Sequence, residues 1–377
     1  MSAYRIPFNK PPQVGRELEY VEQAFAQGHL SGDGPFTRRC SELLEGELGA
    51  ARVLLTTSCT HALEMSALLL DLQPGDEVIV PSFAFVTTAL AFTLHGATPV
   101  FVDVCPETLN VDPARVAAAI GPRTRAIVAL HYGGVACDLD ALTKLASEAG
   151  ITLIEDNAHG LFGAYRGKPL GTFGALATQS FHETKNFSCG EGGALIINDP
   201  QLAERAEILR EKGTNRSRFF RGQIDKYSWV DTGSSYLPSE ILTAVLCAQL
   251  EAREKVQARR HVIWERYASE LKAWASTRAI TLPVIPDGCD PTAHVFWMLL
   301  PSLEQRGLFI EHLKAVGVLS VFHYLPLHLS DMGRRFGGKP GDCPVSEDVS
   351  DRLVRLPLFF ALTDDEQSDV IGQATSF

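Results

Sequence analysis

An α/β fold, a mainly parallel sheet flanked by helices with a smaller C-terminal α/β domain, is predicted by three observations. Short apolar runs alternate with helical patterns at regular spacing through the first half of the chain, which requires right-handed crossovers between neighbouring strands. Two of these runs, Val78-Ile79-Val80 and residues 126–130, are apolar throughout rather than alternating, as strands covered on both faces must be. The length of 377 residues exceeds what one core usually organises, so a large domain over 1–250 and a small one over 251–377 are expected.

In chain order, residues 1–36 read as an extended arm with a helix near 15–27 and a glycine-rich loop, Ser31-Gly32-Asp33-Gly34-Pro35. Thr37 is a plausible cap for a helix reaching residue 48. Strands are then expected at 53–56, 77–81, 98–104, 126–131 and 151–155, with helices at 60–70, 86–95, 113–120 and 139–149 between them. A further strand at 194–197, a helix at 202–212 and one long helix over 238–272 follow. The C-terminal part is expected to carry strands near 295–300 and 319–324 and helices near 308–316 and 346–355.

Composition narrows the function. A hydrophobic fraction of 45% and a mean hydropathy of +0.03 describe a globular chain, and no run of 18 apolar residues or secretory h-region occurs, so no membrane role is expected. A net charge of −11 argues against nucleic acid as partner. Eight dispersed cysteines without a CxxC pair read as reduced thiols, which with the missing leader predicts a cytoplasmic location. No metal site is expected: His323 and His328 have no carboxylate or cysteine at ligand spacing.

In such sheets ligands bind beyond the carboxyl ends of the strands. Lys185 lies in Ser180-Phe181-His182-Glu183-Thr184-Lys185-Asn186, on a loop that runs into the glycine-rich stretch 190–193. An amine held among Phe181 and Phe187 would have a lowered pKa and would form a Schiff base with an aldehyde. Ser58, before the helix expected at 60–70, either helps an anion site at its N-terminus or only caps it. Phe85 either covers a flat heterocycle or belongs to the core. Asp156, with His159 three residues on, is either the partner of a protonated ring nitrogen or a helix cap at a surface turn. Arg216 and Arg218, two of three arginines in six positions, are expected with His328 to hold a diphosphate, and His323 and Tyr324 to border a sugar. The alternative for the arginine loop is an exposed basic surface or a subunit contact.

Taken in order, a Ser/Thr helix start, an aromatic after strand two, Asp-x-x-His and Ser-x-x-x-x-Lys resemble the fold-type-I pyridoxal-phosphate enzymes, which are aspartate-aminotransferase-like. Residues 54–60, 73–78, 180–186 and 211–217 resemble the nucleotide-sugar aminotransferases in particular. The resemblance covers essentially the whole chain. It implies pyridoxal 5'-phosphate bound to Lys185, Asp156 on the pyridine nitrogen, His159 near the ring hydroxyl, Phe85 against the ring, and Ser58, Cys59, Thr60 and Ser180 at the phosphate. It also implies a homodimer with shared sites, in which Ser235 stands where many relatives have an asparagine that reaches the neighbour's cofactor phosphate. The implied reaction moves the amino group of L-glutamate to C4 of a dTDP-linked 4-keto-6-deoxy sugar, with C3 as the alternative position. A nicotinamide-dependent sugar oxidoreductase is the competing class, and the absence of GxGxxG after the first strand opposes it.

Overall fold

The computed structural model describes residues 4–377. Its centre is a seven-stranded sheet of β1 (Arg52–Thr56), β2 (Glu77–Pro81), β3 (Thr98–Val102), β4 (Thr124–Leu130), β5 (Thr152–Asp156), β6 (Leu176–Ser180) and β7 (Gly193–Ile197), ordered β1-β7-β6-β5-β4-β2-β3. Only β7 runs against its neighbours; β3, β2, β4, β5 and β6 pair in parallel. β6 was not expected from the sequence, because Leu176-Ala177-Thr178-Gln179-Ser180 mixes polar and apolar side chains although all five are buried.

Alternate side chains of the strands feed two cores. Leu54, Val78, Val80, Val128 and Ile154 pack under the helix Cys59–Leu69, while Ile79, Ile127, Ala129 and Leu153 pack on the opposite face with Val116 and Leu142 of the outer helices. Burial on both faces is what the continuous apolar runs demand.

The C-terminal part has its own core, which includes Tyr267, Phe296, Phe309, Val354 and Phe359 and which Ile6 of the N-terminal arm enters. Its strands β8 (Phe296–Leu299) and β9 (Leu353–Leu356) are antiparallel. Three expectations are corrected here. Residues 319–324 form no strand and keep only the bridge between Val321 and Arg355. The helix expected over 346–355 is Pro344–Arg352 and gives way to β9. The long helix over 238–272 is two, Glu240–Glu251 and Arg253–Glu270, with Ala252 at the joint.

Candidate active site

The carboxyl ends of β1, β4, β5 and β6 meet around Lys185. Asp156, the last residue of β5, stands abreast of Thr178 on β6. Gly193 stands abreast of both Thr56 and Ser180 and lies directly under the start of the helix Cys59–Leu69. A Cβ there would fall 2.3 Å from the Ser58 carbonyl carbon and 2.4 Å from the Cys59 nitrogen, so only glycine lets the helix start so close to the sheet. Ser58 caps that helix, its Oγ accepting from the His61 N–H at 3.1 Å. The first N–H groups of a helix have no intrahelical acceptor, so those of Cys59 and Thr60, with the buried Ser180 hydroxyl across the strand ends, suit a phosphate.

Lys185 is half-buried at the base of this hollow, and burial pushes its pKa down to about 8. The Asp156 charge opposes the shift and the Arg355 charge adds to it. Cys59 beside it is a neutral thiol, pushed far up by burial. Burial likewise raises the Asp156 carboxyl. That carboxylate accepts from Thr88 Oγ1 at 2.7 Å and more weakly from the Ala158 N–H at 3.3 Å, two neutral donors for a buried anion. A protonated pyridine nitrogen is the kind of cation it lacks. Carboxylate, depressed lysine and helix start together fit pyridoxal phosphate.

A wall of polar rings faces the lysine. His159 stacks on His294, with centroids 4.3 Å apart, and its Nε2 lies 3.4 Å from the Tyr324 hydroxyl. His323 stacks on Tyr324 at 3.6 Å, and its Nδ1 shares a 2.8 Å hydrogen bond with the Tyr132 hydroxyl. Burial holds His159, His294 and His323 well below the ordinary histidine range, so all three are neutral near pH 7. Tyr324 is held at φ 38°, a strained value for a non-glycine residue. Phe83 is core, whereas Phe85 is 55% exposed, 6.3 Å from the Tyr324 ring.

The structure thus gathers Ser58, Cys59, Thr60, Phe85, Asp156, His159, Ser180, Lys185, His323 and Tyr324 at one end of the sheet. It does not gather the expected diphosphate clamp. His328 is buried between Ser82 Oγ (2.6 Å) and Glu347 (3.1 Å), a tie between β2 and the helix Pro344–Arg352. Arg218 pairs with Glu204 on the surface, and Arg216 pairs with Glu211 at 3.3 Å while its guanidinium lies over Phe220. Arg216 and Ser235 line a separate cavity of about 750 Å³ that Lys185, Asp156 and His159 do not border. Local sequence cannot show which carboxylate claims an arginine. Sequence reasoning also missed Thr88, Asn186, His294 and Arg355. Asn186 ties the lysine loop to the C-terminal part through the Thr292 carbonyl (2.8 Å) and His294 Nδ1 (2.9 Å), and its place beside Lys185 was the one available signal.

A half-buried lysine of low pKa and a buried aspartate at the carboxyl edge of this sheet suit a pyridoxal-phosphate-dependent enzyme. The chain belongs to the DegT/DnrJ/EryC1/StrS aminotransferase family, whose model it matches over residues 12–375. It is 30% identical to the spore coat polysaccharide biosynthesis protein SpsC of Bacillus subtilis over 374 residues, 97% of this chain and 95% of that protein. The solved aminotransferase TlmJ of Streptoalloteichus hindustanus is 33% identical with a TM-score of 0.90 over 98% of each chain. A protein of Streptococcus pneumoniae assigned as a sugar aminotransferase and solved in its PLP form is 26% identical, with a TM-score of 0.91 over 99% of this chain and 98% of that one. The protein is therefore a PLP-dependent sugar aminotransferase.

Proposed function

We propose that this aminotransferase moves the amino group of L-glutamate to C4 of dTDP-4-keto-6-deoxy-D-glucose, giving dTDP-4-amino-4,6-dideoxy-D-galactose and 2-oxoglutarate. On this reading it is a dTDP-4-amino-4,6-dideoxygalactose transaminase of surface-polysaccharide synthesis. The observation that carries it is the lowered pKa of Lys185 opposite Asp156, within a wall of neutral histidines. Pyridoxal phosphate, when bound, supplies the aldehyde that accepts the amino group and the ring that delocalises the electrons of the broken C–H bond.

The residues divide the work. Lys185 would supply the amine that holds the cofactor aldehyde and would serve as the base that moves the proton at the reacting carbons. Its depressed pKa keeps a useful fraction neutral near pH 7. Asp156, fixed by Thr88, would hold the pyridine nitrogen in its protonated form. Cys59, Thr60 and Ser180, at the helix start that Ser58 caps, would hold the phosphate. Phe85 would cover the ring, His159 would stand near the ring hydroxyl, and His323 and Tyr324 would border the sugar. The enzyme acts in the cytoplasm as a homodimer, with Ser235 directed to the neighbouring subunit's phosphate site. Eight free thiols agree with a reducing compartment.

Lys185→Ala should lose both turnover and the absorbance band of the lysine-bound cofactor, and retained turnover would sink the assignment. NMR of the product formed from the 4-keto sugar tests the substrate: an amine at C3, or an equatorial amine at C4, would exclude the galactose product.

A further inference from the structure

The wall of rings facing the lysine carries two tyrosine hydroxyls, and they differ. That of Tyr132 is spent on His323 Nδ1 at 2.8 Å. That of Tyr324 lies 3.4 Å from His159 Nε2 and has no other hydrogen-bond partner among the described residues. Which of the two donates follows from the far side of the histidine ring. The Gly133 N–H points at His159 Nδ1 at 3.3 Å, and an amide N–H can only donate, so Nδ1 carries a lone pair and the single proton of this neutral ring sits on Nε2. His159 therefore donates to the Tyr324 oxygen, which leaves the phenol's own proton without an acceptor. The arrangement is held by the C-terminal part. Thr292 Oγ1 donates to the His159 carbonyl at 2.6 Å and His294 stacks on the His159 ring, while a Cβ at Gly134 would fall 1.8 Å from Thr292 Oγ1, so glycine there keeps the contact open. The phenol overlooks the hollow: the Phe85 ring is its neighbour, and the Asp156 charge is felt at the hydroxyl, which burial keeps protonated.

We propose that Tyr324 is a further catalytic residue, which passes protons to and from the oxygen on the reacting carbon. The inference rests on the amino-transfer reading above and adds an acid that this reading does not assign. When nitrogen replaces oxygen at a keto carbon, the carbon–oxygen double bond breaks, a carbon–nitrogen double bond forms, and the oxygen leaves as water. The oxygen gains two protons and the nitrogen gives up two, so nothing is oxidised or reduced. Tyr324 gives its proton to the oxygen and regains one from the nitrogen, and two such exchanges complete the water. In the glutamate half of the reaction the same exchange runs backward, water adding its oxygen to the carbon as the nitrogen leaves. Lys185 acts at the C–H bond, and His159 is a positioning residue that turns the phenol proton outward. A departing oxygen is a strong base, so a phenol of raised pKa can still protonate it.

When cofactor-loaded protein is mixed with L-glutamate, loss of the lysine-bound absorbance band follows the C–H step, and 2-oxoglutarate in quenched samples follows the water step. Tyr324→Phe, which keeps the ring and its stack on His323, should leave the band loss within about threefold of the unmodified protein and slow the appearance of 2-oxoglutarate at least about thirtyfold, with the Kd for dTDP unchanged. Equal slowing of both, no slowing of either, or a loss that falls on dTDP binding overturns the proposal. A second measurement needs neither turnover nor a change at Tyr324. The ring-nitrogen NMR shifts of histidine-labelled protein, with His159→Gln to mark the signal, should show His159 neutral with its proton on Nε2. A proton on Nδ1 overturns the proposal even if Tyr324→Phe does not fold, because the phenol would then donate to the histidine. A protein whose band does not respond to L-glutamate would fail the glutamate reading instead, and the tautomer would then decide this one.

Discussion

Glu155 and Asp156 are neighbours on β5, equally buried, and they face opposite sides of the sheet into opposite roles. Glu155 accepts from the N–H groups of Gly171 (2.8 Å), Phe173 (2.6 Å) and Gly174 (2.8 Å) and from His131 Nε2 (3.0 Å). The Cys137 N–H donates to His131 Nδ1, which leaves the ring proton on Nε2, pointing at the carboxylate. Four donors make Glu155 a clamp on the 171–174 loop. Asp156 has two, one of them long, and keeps capacity for a cation. Burial therefore does not separate a structural carboxylate from a functional one. The number and strength of donors does.

The largest effect that would test this contrast is on stability. Glu155→Gln puts an amide against donors on both sides and should cost about 3–5 kcal/mol in denaturant unfolding, whereas Asp156→Asn, with fewer donors to disappoint, should shift stability by no more than about 1 kcal/mol. Equal losses would break the comparison. Activity should show the reverse order for Asp156. With the ring nitrogen no longer held protonated, Asp156→Asn should lower turnover by at least about a hundredfold while the cofactor still binds, and near-normal turnover would make the carboxylate a structural cap.

A smaller effect sharpens the functional side. The neutral amine of Lys185 is the nucleophile, so the rate of cofactor uptake by the stripped protein should rise about tenfold per pH unit up to about 8 and level off above it. A rise that continues toward the ordinary lysine value of 10.5 would mean that burial is not felt at the amine. The smallest effect concerns a region outside the contrast. Arg218 is held in an exposed pair with Glu204, so Arg218→Ala should alter the Michaelis constant for the nucleotide sugar by less than about threefold, and a larger rise would return the loop to the substrate site.

How far the site could be read from the chain follows from how local each contact is. Lys185 and Asp156 were legible because each sits at a strand end or on the loop that follows one, where the crossover pattern alone puts ligands. The role of Ser58 divided: its side chain is the helix cap, and the anion-binding capacity belongs to the backbone N–H groups beyond it. Phe83 and Phe85 are two residues apart on one segment, yet one is core and the other faces the hollow, a choice that depends on the C-terminal part packing over β2. The pairing of Arg216 with Glu211 and of Arg218 with Glu204 could not be read from the loop, because charge and aromatic spacing say nothing about the acids nearby in space.

The sequence by itself determined the parallel sheet and the strand-end positions of the lysine and aspartate proposed to carry the chemistry, since apolar periodicity and strand-end position act over a few residues. Tertiary structure alone decided that Thr88 donates to Asp156, that His294 stacks on His159, and that the Arg355 charge is felt at the lysine. The partners come from segments about 70 to 170 residues apart: a helix flanking the sheet brings Thr88 to Asp156, and packing of the C-terminal part against the sheet brings His294 to His159 and the Arg355 charge within Coulombic range of Lys185.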